Sequence, residues 1–118
     1  MKLLCVISAP PFAGSKVIEQ IEVAMVGAVF DLEVSLLLTD DGVFAAMRDQ
    51  NGESLGARSP GKVISGLPMY EIDAIYVDED ALEERQLDTS QLLEEVRTLS
   101  RAEQQSLLAA TNIVVSGV

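Results

Sequence analysis

The chain has 118 residues, 48% of them apolar, and its 8 basic side chains face 19 acidic ones for a formal charge of −11. That length makes one domain, residues 1–118, able to bury roughly two-thirds of its unfolded surface, and the apolar fraction places it among globular chains. The few Lys and Arg are scattered, which argues against direct binding of nucleic acid and against attraction to an anionic membrane.

No apolar run reaches the ~18–20 residues of a membrane span. "LLCVIS" lies too close to Met1 for the middle of a signal peptide, and no small-residue cleavage site follows it. A cytoplasmic protein is expected. The single cysteine, Cys5, excludes an internal disulfide. The absence of histidine removes the commonest general base and the commonest metal ligand.

In chain order, "LLCVIS" (3–8) is a short continuous apolar run, as in a strand buried on both faces. "APPFAGS" then marks a loop. From Ser15 the spacing turns helical: Val17, Ile18, Ile21, Ala24, Met25, Ala28 and Val29 recur at three- and four-residue steps. Val23, Val26 and Phe30 add a second apolar stripe. A helix lying on one sheet needs only one such face, so the second stripe meets either a partner subunit or another element of the same domain.

"EVSLLLT" (33–39) predicts a second strand, after which Asp40 or Asp41 caps a short helix beginning near Gly42 or Val43. Residues 48–61, rich in Gly, Ser and charge, predict a long exposed loop, and 62–69 a single helical turn before Pro68. "DAIYV" predicts the third strand and "DEDALEERQL" a short acidic helix. Ser100 and Glu103 have capping-box spacing, which starts a new helix at about 101–110. Residues 94–99, of mixed polarity, then form a short edge strand, and "NIVVSGV" a final buried one. The alternation predicts a three-layer α/β/α fold around a mostly parallel five-stranded sheet.

In such folds sites gather at the carboxyl ends of the strands. Asp40, Asp41, Asp78, Glu79 and Asp80 fall there and could hold Mg²⁺ through oxygen ligands. However, the first strand ends without an acid, and no strand-end lysine completes a phosphoacceptor set. Aspartates at a helix start are explained more simply by capping, worth about 1 kcal/mol. Gly14 and Ser15 could cradle a phosphate, but the loop lacks a P-loop lysine and a GxGxxG spacing. Ser8, Ser15 and Ser116 have no histidine to activate them. Cys5, between Leu4 and Val6, reads as a core residue, not a reactive thiol. No catalytic residue, cofactor or metal is expected.

Residues 22–44, "EVAMVGAVFDLEVSLLLTDDGVF", with 75–87, "IYVDEDALEERQL", resemble the DsrE/F family, and within it the TusC and DsrF subunit type. The acidic pair followed by Gly-Val-aromatic, Asp40-Asp41-Gly42-Val43-Phe44, is the most specific piece. Pro11-Phe12 is similar to the family's Pro-aromatic pair. Ala13-Gly14 departs from the usual Gly-Thr, and Gln86 stands where the family often has glycine.

The resemblance implies a sulfur-relay complex of three related subunits in two copies each, in which one member carries a persulfide on a cysteine near the end of the third strand. Here that stretch reads Ile75-Tyr76-Val77-Asp78. The expected role is therefore a non-catalytic subunit, supporting sulfur transfer toward thiolation of the tRNA wobble uridine or toward dissimilatory sulfur oxidation. Its partners would be related subunits of the TusB/TusD or DsrE/DsrH kind. Asp40, Asp41 and Gly42 would shape an assembly loop, and Val23, Val26 and Phe30 a subunit interface. The alternatives are a stand-alone homo-oligomer binding a small ligand at the strand-end loops and a Mg²⁺-dependent enzyme built on the acidic cluster.

Overall fold

The computed structural model describes residues 1–11, 14–48 and 60–116. Five strands, β1 (Lys2–Ile7), β2 (Glu33–Leu38), β3 (Ala74–Asp78), β4 (Val96–Leu99) and β5 (Ile113–Ser116), form one sheet in the order β4-β3-β2-β1-β5. Every pairing in it is parallel. The crossovers are α1 (Lys16–Val29), α2 (Pro60–Gly66), α3 (Glu79–Glu84) and α4 (Arg101–Ala110). The second crossover also contains 3₁₀ helices at Asp40–Ala46 and Leu67–Tyr70. Most of the expected loop at 48–61, residues 49–59, lies outside the described residues.

From β1 to β4 the chain steps in one direction across the sheet, then jumps back to the far edge for β5. Right-handed crossovers therefore set α1, α2 and α3 on one face and α4 on the other. The core follows that division. Leu3, Cys5 and Ile7 of β1, with Leu36, Leu38, Ile75 and Val77, meet Val17, Ile21 and Ala24 of α1, Ile64 of α2 and Leu82 of α3. No α4 residue joins them, and none is buried at all.

This topology overturns the expectation of a buried last strand. β5 pairs only with β1 and forms an edge, with Ile113 and Val114 exposed (Val114 49%). An apolar run signals burial only when a strand has neighbours on both sides and layers above and below. β4, by contrast, is the edge strand its mixed polarity predicts, although it begins at Val96.

The helix at 101–110 lies where its capping box places it. The Glu103 amide donates to Ser100 Oγ (3.2 Å) and the Ser100 amide to Glu103 Oε1 (2.9 Å). The Ser100 amide, together with the Ser100 hydroxyl, holds the Glu103 carboxyl below its ordinary pKa. A second box, Asp88 with Gln91, closes the 3₁₀ turn Thr89–Gln91. Its D-x-x-Q spacing is equally legible. Around Pro68 the helix is longer than the predicted single turn, because Pro68 falls at the start of the 3₁₀ helix, where its missing N–H costs nothing.

Three helix ends use left-handed residues that are not glycine: Asp31, Glu71 and Gln86, at φ 64°, 64° and 54°. Each is followed by the paired hydrogen bonds of a Schellman turn, such as Leu87 N–H to Leu82 O (3.0 Å) and Gln86 N–H to Glu83 O (3.1 Å). Gly42 is constrained differently. A Cβ there would sit on the carbonyl oxygen of Ile7 and 2.8 Å from its carbonyl carbon. Among the described residues no helix is long and apolar enough to cross a membrane.

Two substitutions test this geometry in urea melts. Gly42→Ala is expected to lower stability by about 2–3 kcal/mol, since backbone at the end of β1 must move. Gln86→Gly is expected to raise it by up to about 1 kcal/mol by relieving the left-handed side chain.

Candidate functional site

β3 and β4 are neighbours whose following helices leave toward opposite faces, so their carboxyl ends flank the crevice where ligands of open α/β sheets bind. Asp78, the last residue of β3, occupies it. Its Oδ2 accepts from Thr39 Oγ1 at the end of β2 (3.0 Å), and its Oδ1 from Gln104 Nε2 of α4 (2.8 Å) and the Asp80 amide (3.2 Å). Gln104 Nε2 also donates to Leu99 O at the end of β4 (3.2 Å). Both carboxylate oxygens are thus engaged by donors that tie three strand ends to α4.

The other strand-end acids are drawn apart. Arg85, just after α3, places Nε and Nη2 on the same Asp41 oxygen, at 3.2 and 3.1 Å. Asp80 pairs with Arg101 at 3.6 Å. Asp40 and Glu79 are exposed. Among the described residues no three His, Cys, Asp or Glu side chains converge as metal ligands would. The cap expected at Asp40 or Asp41 is corrected. The 3₁₀ helix begins at Asp40 itself, in the left-handed region at φ 48°, and the residue before it is Thr39. Both aspartates lie in the first turn, where their charge opposes the helix dipole. Gly42 is the member of the trio on which loop shape depends.

At the first loop Gly14 is left-handed at φ 99°. The Ser15 hydroxyl donates to Glu19 (2.9 Å), so it does not face outward to a phosphate. Pro11 is buried, and Phe12 lies outside the described residues.

Cys5 is 2% exposed, between Leu36 of β2 and Val115 of β5 in the sheet register. Burial pushes its thiol pKa up, away from the reactive thiolate. A separate cleft of about 350 Å³ beside β4 is lined by Arg48, Leu93, Glu94 and Glu95. The Arg48 Nε donates to Leu92 O (2.8 Å), whereas Glu95 Oε2 is buried without a partner. Sequence spacing could not indicate this cleft, because it joins segments more than forty positions apart.

The second stripe of α1 is open to solvent: Val26 is 55% and Phe30 75% exposed, with Val23 and Val29 beside them. The alternative of a wedge between elements of one domain is overturned. Val29, expected on the inner face, is outside, and Gly27 is buried in its place.

The DsrE/DsrF-like family model matches residues 1–116. This chain belongs to that family. It is 40% identical over 76 residues to the intracellular sulfur oxidation protein DsrF of Allochromatium vinosum, a match covering 64% of this chain and 56% of that protein. It is 30% identical over 114 residues to a TusC homolog of Pseudomonas aeruginosa, covering 97% and 96% of the two chains. The fold is shared with the ychN protein from E. coli (TM-score 0.85, 18% identity, 99% of both chains). It is also shared with MTH1491 from Methanobacterium thermoautotrophicum, a protein of unknown function (TM-score 0.67, 14% identity, 98% of both chains).

Replacing Gln104 by Ala removes the amide between Asp78 and Leu99. Faster hydrogen exchange centred on α4 is expected, with stability lowered by about 1.5–3 kcal/mol. Alkylation of Cys5 should be slow in the native protein and fast in urea, as followed by mass spectrometry.

Proposed function

We propose that this chain is a non-catalytic subunit of a heteromeric sulfur-relay complex, acting in the cytoplasm as one domain beside related DsrE/F-family subunits of the TusB/TusD or DsrE/DsrH kind. The observation that carries this reading is Asp78. At the crevice where the resemblance implies a persulfide cysteine in a sulfur-carrying member, this chain has a carboxylate with both oxygens engaged. The only thiol lies buried in the first strand.

Sulfur transfer needs a thiolate able to reach a donor's terminal sulfur. Cys5 is buried and, among the described residues, has no cationic neighbour that would lower its pKa, and the acidic strand ends would repel an incoming thiolate. The contribution left to the chain is surface: the Asp40-Asp41-Gly42 loop, held to the end of α3 through Arg85, and the exposed Val23, Val26 and Phe30 of the α1 stripe. The DsrF and TusC names of its relatives support the relay assignment. The relay serves sulfur oxidation or thiolation of the tRNA wobble uridine, and the acidic surface leaves any contact with RNA to a basic partner.

The test is mass spectrometry of the native complex after loading with labelled sulfur. This chain should co-purify with two related small proteins, and the added sulfur should sit on a partner. Extra sulfur on Cys5, or a well-behaved homo-oligomer with no such partners, would overturn the proposal.

A further inference from the structure

The exposed stripe of α1 has a chemical signature that goes beyond its being apolar. At 100° per residue, Val23, Val26, Val29 and Phe30 fall within about a third of the helix circumference. Glu19 and Glu22 lie on the same arc toward the amino end, and exposed Asp31 follows Phe30 at the other end. From residue 15 to residue 35 the single cation is Lys16, at the far amino end. Lys16 and Glu22 both have interactions within the chain. The 3₁₀ turn Leu67–Tyr70 packs against α1 and repeats the pattern, with exposed Met69 and Tyr70 followed by Glu71 and Asp73.

We infer that this acidic-rimmed apolar face is built to accept a partner surface with an apolar centre and a Lys/Arg rim, and to reject a second copy of this chain. An antiparallel copy centred on Val26 would set Val23 against Val29 but lay Glu19 against Asp31. A parallel copy would set Glu19 beside Glu19 and Glu22 beside Glu22. Either arrangement presses carboxylates together where apolar contact excludes water, and like charges so placed select against the wrong partner. A basic rim turns the same groups into attraction that steers encounter and fades with salt. This inference rests on the proposal that α1 is an interface and adds the chemistry of what covers it.

The probes are two labelled amphipathic helical peptides of about 18 residues, identical in their Leu/Ile face, one rimmed with Lys and one with Glu. Each is titrated into the full chain by fluorescence anisotropy. The Lys-rimmed peptide should bind at least about tenfold more tightly at about 0.05 M salt, and lose most of that advantage at about 0.5 M. Val26→Asp should abolish binding of both. The triple variant Glu19→Lys, Glu22→Lys, Asp31→Lys, checked for native circular dichroism, should reverse the preference.

Equal binding of both peptides that Val26→Asp still removes would overturn the charge selection while leaving the interface proposal standing. Binding of neither peptide, or binding that Val26→Asp does not change, would overturn both. Sedimentation at low salt tests self-association independently, and a monomer is expected. A homodimer that Val26→Asp dissolves would overturn the rejection of a second copy.

Discussion

The carboxylate of Asp78 is the tie on which the carboxyl edge of the sheet depends. Thr39 reaches it from β2, its own helix reaches it through the Asp80 amide, and Gln104 reaches it from α4 while also holding Leu99 of β4. The Thr39 amide is bonded in turn to Ile7 O at the end of β1 (2.9 Å), the carbonyl against which Gly42 packs without a side chain. A continuous line of contacts thus runs from β1 to α4. Hydrogen bonds to a charged acceptor are worth roughly 1.5–3 kcal/mol each. α4, which buries no residue of its own, needs them more than any other helix here.

The same tie decides what the crevice can do. A carboxylate whose oxygens already accept from a hydroxyl, an amide and a side-chain amide has little capacity left for a cation. The neighbouring acids Asp41 and Asp80 are paired with Arg85 and Arg101. The strand-end carboxylate here closes the fold on itself. The chemistry of this chain moves to its surfaces, where apolar side chains stand exposed on α1 and along β5.

Local spacing carried most of the fold. Ser100 and Glu103 set the start of α4, and continuous apolar runs marked β1, β2 and β3. Long-range order was hidden. β5 is as apolar as a central strand, and only the jump of the chain from one sheet edge to the other makes it exposed. The helix ends at Asp31, Glu71 and Gln86 carried no glycine to announce them. For Gln86 the departure from the family's usual glycine was the one visible hint. In the candidate site, the aspartates were legible as strand-end residues but not in their roles. The Asp78–Gln104 and Asp41–Arg85 contacts join residues 26 and 44 positions apart. The second stripe of α1 was readable at Val23, Val26 and Phe30 but not at Val29, because a 3.6-residue repeat exposes the excess over the face a sheet requires without fixing where that face ends.

The two open apolar surfaces of the molecule are not equivalent, and the difference follows from charge. Residues 112–116 carry none, so β5 offers unpaired backbone and apolar side chains without electrostatic bias. α1 offers a comparable apolar strip with carboxylates at both of its ends. On a chain of formal charge −11, like copies repel at long range. Contact through α1 would concentrate that repulsion, whereas contact through β5 would not. A surface that both attracts by burial and repels by charge distinguishes between partners.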